Sequence, residues 1–531
     1  MAVETGSEYD VIVIGSGIGG LAAASFLARL QNKRVLVLER HFKIGGFTHI
    51  FKRKQKYLWD VGIHYIGNVG EGQMMRGIFD ALTQSQVKWQ QMPHIFEKFV
   101  YPEFTFDVPS NEEEYIKALQ ERFPDEARAI SNYFRDIKST ANWFARHITM
   151  KAMPRGISAV AHLLELYGKG SALMKTADYM DQNFRDPNLK AILCSQWGDY
   201  GLPPTKSAFV MHSLVASHYL EGGWYPVGGS GTIAASIVPQ LESRGGAALV
   251  DHTVDRILVE NGKAVGVQCR YVTGDREQAK EYRAPVIISN AGALNTYLHL
   301  LPPDYPLPFR DQLKPELNSI SCVTLYLGLN KDPRSLGFQG ENHWIFSSTN
   351  HDQNFANRAE LLEGKPGGAF LSFPSLKDDE SEGHTAEIIA FCDYEPFRKW
   401  ADKPWMKRGA DYLELKSKIA ATLLDYIEQH YPGFKAMVEY QELSTPLSNS
   451  HFANHVDGSI YGLATSPERF NADWLGINTP IDNLFLAGAD ASSPGVSGAL
   501  MGGISCAARV MGMSGFMKFF RQLEPMAKGE L

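Results

Sequence analysis

A short apolar run, Tyr9-Asp-Val-Ile-Val-Ile14, passes into the turn Gly15-Ser-Gly17-Ile-Gly19-Gly20 and then into the small-residue stretch Leu21-Ala-Ala-Ala-Ser-Phe-Leu-Ala28. A second apolar run, Arg34-Val-Leu-Val-Leu38, ends in Glu39. Glycines alone would fit any βαβ turn. The ordered set of strand, turn, helix, strand and acid predicts a unit that holds a dinucleotide. Gly15 allows the tight turn, Gly17 lets backbone N–H groups approach a pyrophosphate, and Gly20 lets the helix lie close on the sheet. The helix N-terminus then faces the phosphates. Glu39 can take both hydroxyls of a ribose, and an acid there disfavours a 2′-phosphate.

At 531 residues the chain is too long for one core, so two linked domains are expected. A hydrophobic share of 44% with 21% charged residues fits a folded globular protein. A net charge of -7 argues against a general nucleic-acid binder. Cys194, Cys269, Cys322, Cys392 and Cys506 form no CxxC pair and no metal-ligand spacing. They read as buried free thiols in a reducing compartment. No metal site, P-loop or hydrolase elbow is expected. The first strand starts near Tyr9 with no positive region before it, so no secretory leader is expected. No apolar stretch of about 20 residues stands out. The expected location is cytoplasmic, with peripheral attachment to a membrane.

The next landmark favours a flavin over a nicotinamide. Lys43-Ile-Gly45-Gly46-Phe-Thr48 follows Glu39 closely, and a glycine pair lets the chain run beneath a large flat ligand. Trp59-Asp-Val-Gly62-Ile-His64-Tyr65 is another glycine-bearing turn with polar tips. The missing strands appear far downstream. Val250 to Tyr271 reads as two strands around Asn261-Gly262, Ala284 to Gly292 as a strand and loop, and Asn483 to Asp490 as a buried strand ending in an acid. A Gly/Ser-rich stretch to Gly503 then opens a helix. Asp490 can meet a ribityl hydroxyl or a pyrophosphate-bound water. The helix from Val496 can offer N–H groups to the flavin C2 oxygen.

Together, Gly15 to Gly20, Gly45-Gly46, Gly222-Gly223-Trp-Tyr-Pro-Val-Gly228-Gly229 and Leu486-Ala-Gly-Ala-Asp490 resemble the phytoene desaturase and carotenoid isomerase family. Asp60-Val-Gly-Ile-His-Tyr-Ile-Gly67 is similar to its retinol saturase branch. The resemblance runs from about Tyr9 to Ala508. It implies an amine-oxidase-like fold, non-covalent FAD, and reactions at carbon–carbon double bonds of polyenes and long-chain lipids. It implies that Gly15, Gly17, Gly20, Glu39, Gly45, Gly46, Val254, Gly488 and Asp490 touch FAD, Val254 through its backbone. Arg40, Gly495 and Val496 complete that expected set. Ala487 departs from the larger polar or glycine pattern before the acid, with little consequence because alanine is also small.

The expected fold is α/β, with a discontinuous Rossmann-like FAD-binding domain of the glutathione reductase/amine oxidase type over 1–75, 220–310 and 440–531. Residues 76–219 and 311–439 should form a substrate domain of mixed sheet plus helices. Helices are expected over Asn111 to Arg122, Glu126 to Phe144 and Leu413 to His430. Strands are expected over Ser319 to Leu329, Gly368 to Ser372 and Glu387 to Cys392. Residues 143–175 interleave Met and aromatic side chains with cations, and seven Lys or Arg oppose two acids between Arg135 and Lys175. That pattern suits helices lying on an anionic membrane surface, with helices packed on the protein's own core as the alternative.

Carbon–carbon hydride chemistry asks the protein to position two carbons and to handle one proton. His64, Tyr65 and Tyr225 are the candidate catalytic residues, with Trp224 beside them. His451 and His455 are weaker candidates, and His41 and His49 are expected to be incidental. Desaturation of a long-chain lipid or polyene is favoured, because only one dinucleotide fingerprint is present and an external electron acceptor or donor is needed. Saturation or cis–trans isomerisation of a polyene such as a retinoid or carotenoid is the alternative. Amine oxidation, with Trp224 and Tyr225 as half of an aromatic cage, is a further one, and a non-catalytic flavoprotein scaffold the last.

Overall fold

A computed structural model describes residues 8–151, 170–273, 276–314 and 319–527, with backbone alone over 513–527. Its first sheet is parallel throughout, in the order Leu484–Leu486, Ile287–Ser289, Val11–Ile14, Val35–Leu38, Ala247–Leu249. Every residue of Val11–Ile14 and Val35–Leu38 is buried. Helices cover both faces of such a sheet, so its strands are continuously apolar rather than alternating.

The helix Ile18–Gln31 follows the first strand and is stopped by Asn32 in the left-handed conformation at φ 52°. It crosses the long closing helix Gly495–Ala527 at glycines. A Cβ on Gly503 would stand 2.0 Å from the Gly19 carbonyl oxygen, and one on Gly19 would stand 2.4 Å from Gly488 Cα. The small residues of both segments therefore set how closely the last strand and last helix seat on the first.

Asn261 and Gly262, at φ 51° and 78°, join the strands His252–Glu260 and Lys263–Thr273 in a tight hairpin turn. A third strand, Arg276–Arg283, was not expected. Its side chains are nearly all exposed, so it lacks the apolar alternation by which a half-buried strand is read.

The second sheet has seven strands in the order Val438–Ser444, Ser321–Leu329, His384–Cys392, Gly368–Ser372, Asn342–Phe346, Ile95–Val100, Thr105–Pro109. All neighbours are antiparallel except Asn342–Phe346 with Ile95–Val100. Val438–Ser444 thus carries this sheet past residue 439. The helix Ala410–His430 packs Ile419, Leu423 and Ile427 onto one face. The other face meets a helical layer that includes Ala127–Lys151 and Phe209–His218. Asn111 caps the helix Glu112–Arg122, its side chain accepting from the Glu114 N–H at 3.0 Å.

Of the stretch 143–175, residues 152–169 lie outside the described residues. In the part that is described, Trp143 and Phe144 are buried in the core. Lys151 donates to the carbonyls of Ala472 and Leu475, both at 3.3 Å, so this cation is engaged by the protein itself. Among the described residues no helix is long and apolar enough to cross a membrane. All five cysteines are free and buried.

Candidate functional site

A cavity of about 1220 Å³ joins the two sheets. Small-molecule sites measure about 300–1,000 Å³, so this one has room for a dinucleotide and a second molecule. On the parallel-sheet side Gly15, Gly17, Glu39, Arg40, Gly45, Gly46, Val254, Gly495 and Val496 line it. On the other side the wall is aromatic, with Trp197, Phe346, Phe370, Phe391 and Tyr461.

Glu39 is 6% exposed and organises the first side. Its Oε2 accepts from the Ser16 N–H at 2.9 Å and the Ser16 hydroxyl at 2.6 Å, and its Oε1 accepts from the His41 N–H at 2.8 Å. The Ser16 hydroxyl oxygen accepts in turn from the Gly45 N–H at 3.0 Å, tying the two glycine turns together. Gly46, at φ 56°, lies so close that a Cβ would be 2.9 Å from Gly17 Cα. A carboxylate has about four acceptor sites, so with three of them used Glu39 retains capacity for one ribose hydroxyl. Helix N-terminus, glycine cradle and acid together fit a dinucleotide diphosphate.

Three residues of the expected cofactor set shape this site without lining it. Gly20 is packed so that a Cβ would be 2.2 Å from the Gly15 carbonyl oxygen, and a Cβ on Gly488 would be 2.2 Å from Asn290 Oδ1. Asp490 uses Oδ2 to accept from the Ala293 N–H at 2.8 Å and Oδ1 to accept from the Leu463 N–H at 3.1 Å. The buried guanidinium of Arg469 lies 3.8 Å away. Asp490 therefore clamps three loops beneath the cavity instead of facing into it. Asn290, which follows the strand Ile287–Ser289, does line the cavity. No role was expected for it.

The candidate catalytic residues separate. His64 lines the cavity, with Nδ1 2.7 Å from the buried Glu387 carboxylate. Its carbonyl accepts from the Lys377 ammonium at 2.6 Å. Tyr65 does not line the cavity, but its hydroxyl is 2.7 Å from Asp199 Oδ2, and Asp199 does. Tyr225 is 2% exposed and donates to Asp60, itself buried and also receiving the Ser230 N–H at 2.7 Å. Trp224 is likewise absent from the lining. The close approach signalled by Gly222-Gly223 is to Ser110, Met92 and Tyr65. Tyr225 and Trp224 are thus parts of the wall's support, and no amine cage forms from them.

Among the histidines, His455 lines the cavity and its ring meets Phe47 edge-on at 5.1 Å, whereas His451 stacks on Trp405 at 5.7 Å. His41 and His49, expected to be incidental, also line it. Burial depresses the His41 pKa to about 3, so it is neutral there. At the cavity's opening stand Phe42, Trp405, Met406 and Leu413, exposed by 52%, 42%, 81% and 61%. These four are most of the large apolar side chains that the described surface leaves in water.

Residues 13–82 match the family described as the NAD(P)-binding Rossmann-like domain. An all-trans-retinol 13,14-reductase of Danio rerio is 33% identical over 557 residues, covering 100% of this chain and 90% of the relative. A chloroplastic prolycopene isomerase of Arabidopsis thaliana is 27% identical, covering 98% of this chain and 85% of the relative. A putrescine oxidase variant superposes with a TM-score of 0.59 at 15% identity, covering 95% of this chain and 99% of that one. The last likeness is one of fold alone, and it matches the amine-oxidase-type architecture expected from the sequence.

Proposed function

The chain belongs to the phytoene desaturase, carotenoid isomerase and retinol saturase family, and from that membership we propose that it is a flavin enzyme saturating or isomerising a carbon–carbon double bond of a long apolar polyene. The observation that carries the reading is the continuity of one cavity from the dinucleotide cradle to an aromatic wall. Aromatic side chains bury a conjugated hydrocarbon well and offer no fixed charge to it. The names of the relatives put the weight on saturation and isomerisation, where the sequence alone leaned to desaturation. Amine oxidation is disfavoured because Trp224 and Tyr225 stand outside the cavity.

The dinucleotide of this reading is FAD, held by Gly15, Gly17, Glu39, Arg40, Gly45, Gly46, Val254, Gly495 and Val496. When bound, a flavin supplies two-electron hydride chemistry. The protein's part is to bind the polyene, exclude water from its reacting carbons and deliver a proton from a group on the cavity wall. One dinucleotide cradle leaves the electron donor or acceptor to be external. The apolar opening at Phe42, Trp405, Met406 and Leu413 suits peripheral attachment to an anionic membrane surface on the cytoplasmic side, through which so insoluble a substrate would enter.

The purified protein should be yellow and release FAD on denaturation. All-trans-retinol or a poly-cis carotenoid, mixed anaerobically, should leave the oxidised flavin unbleached and be converted only after the flavin has been reduced. A colourless protein, or an oxidised flavin bleached by a primary amine and by no polyene, would overturn the reading. Bleaching by the polyene alone would restore desaturation.

A further inference from the structure

We propose that Asp199 is the proton donor of this cavity, a neutral carboxylic acid presented to the substrate carbons and held in that state by Tyr65. The inference rests on the polyene reading above. Asp199 ends the short helical turn Ser195–Asp199 and lines the cavity beside Trp197 and Gly198. Gly198 leaves room there for the Trp344 indole, since a Cβ would lie 2.3 Å from its ring.

The argument is one of counting hydrogens. The Tyr65 oxygen stands 2.5 Å from Glu97 Oε1 and 2.7 Å from Asp199 Oδ2. A phenol has one hydrogen to give. It can donate to one carboxyl oxygen, so the other carboxyl must be protonated and donate to it. Glu97 is the better anion of the two. Its Oε1 also accepts from the Trp344 indole N–H at 3.0 Å, and its Oε2 from the Gln196 amide at 2.8 Å. Donors aimed at a carboxylate favour its charged form. Among the described residues, Tyr65 is the side-chain hydrogen-bond partner of Asp199. The shared proton therefore belongs to Asp199, the member of the pair that the cavity reaches.

The groups that face this pair agree. Tyr219 stacks on Tyr65 at 4.3 Å and Phe370 lies parallel to it at 6.4 Å, fixing the phenol. Tyr461 closes the cavity side, its hydroxyl donating to the Gly198 carbonyl at 2.9 Å. Lys377 is the cation that acts on Glu97. Burial, with the Glu97 charge second, pushes the Asp199 carboxyl well above the usual range. Burial likewise raises Glu97, against the donors and the Lys377 charge that favour its anion.

In a saturation step Asp199 gives its proton to one carbon of the double bond. A reduced flavin, when bound, would supply the hydride and its two electrons to the neighbouring carbon and so be oxidised. The π bond is consumed, and Asp199 is left as a carboxylate. Tyr65 then turns its hydroxyl hydrogen from Glu97 to Oδ2 and stabilises that charge, while Trp344 and Gln196 continue to serve Glu97. Solvent returns the proton after the product leaves.

The test is Asp199→Asn in the flavin-loaded protein, with Tyr65→Phe as a positioning variant. Flavin content and visible spectrum should stay as in the wild type. Reoxidation of the reduced flavin by all-trans-retinol should slow by about a hundredfold to ten-thousandfold. In Tyr65→Phe the rate should fall less and its pH profile should move. In heavy water the wild-type product should gain deuterium at both carbons of the former double bond, because the acid proton and the flavin's exchangeable hydrogen both come from solvent. Independently of turnover, the infrared difference between wild type and Asp199→Asn without flavin should contain the carbonyl stretch of a neutral carboxylic acid at pH 7. Wild-type rates in Asp199→Asn, or absence of that band, overturn the proposal. If no polyene is converted by the wild type while the band is present, the reading of function falls and the neutral acid stands.

Discussion

Lys377 offers a test of the buried polar layer between the two sheets. It is 1% exposed, and its ammonium donates to the His64 carbonyl at 2.6 Å, the Ser372 hydroxyl at 2.7 Å and Asn342 Oδ1 at 2.8 Å. It thereby ties the His64 turn to two strands of the second sheet. Burial lowers its pKa from 10.5 to about 7, against the opposing charges of Glu387, Asp60 and Glu97. A base with a depressed native pKa binds its proton more tightly in the unfolded chain. Between those two values the unfolded state holds more protons, so stability rises with pH. From pH 7 to pH 9 the linkage relation gives a gain of about 2 kcal/mol from this one group, or roughly thirtyfold in the unfolding constant. Burial raises the pKa values of Asp60 and Glu387, which therefore act in the opposite sense, losing stability as pH rises above the ordinary carboxyl range. Lys377 lowers Glu387 and Glu97, so Lys377→Met moves those carboxyls higher still and the variant loses more stability with rising pH, which adds to the wild type's relative gain. The assay is urea unfolding of both at pH 7 and pH 9. The stability of the wild type relative to the variant should grow by at least about 2 kcal/mol over that interval. Parallel pH dependences would refute a buried lysine that titrates near neutrality.

Two further outcomes follow from geometry. Gly19→Ala puts a methyl 2.4 Å from Gly488 Cα and 2.7 Å from the Ala499 carbonyl oxygen. Overpacking of this kind costs about 1–3 kcal/mol, and thermal unfolding together with flavin retention should show both a lower midpoint and a looser cofactor. Replacing Trp405 and Met406 with serine should cut sedimentation with anionic vesicles by about tenfold while flavin content is unchanged. Equal pelleting would remove the cavity's opening as the membrane contact.

The glycine turn, Glu39 and the returning strands were legible because each obeys a local rule. Continuous apolar runs make covered parallel strands, positive φ or close approach demands glycine, and the order of elements follows. Ser321–Leu329, Gly368–Ser372 and Ala410–His430 were legible by periodicity within a few residues at their ends. Asp199, Glu97, Glu387 and Lys377 were not, because their chemistry comes from neighbours far along the chain. Lys377 stands in a Lys-Asp-Asp-Glu run that reads as a solvated face, and only the fold reveals its three buried acceptors. Asp199 lies between Gly198 and Gly201 amid aromatic residues, a faint sign of a crowded turn. Tyr65 and Tyr225 were picked out for their position beside glycines, but those glycines make room for protein atoms.

The strand order of the parallel sheet also bears on how the molecule is made. Val11–Ile14 lies at the centre of that sheet, and Leu484–Leu486 completes one side of it. A chain synthesised from its N-terminus at about 5–20 residues per second exposes the first of these strands roughly half a minute to a minute and a half before the last exists. Throughout that interval Ile18–Gln31 lacks the closing helix against which Gly19 packs. The intervening strands of the second sheet emerge first and can assemble while the nucleotide half waits. A chain that ends before residue 484 would leave Ile287–Ser289 as an open apolar edge of that sheet, exposed to chaperones or to aggregation.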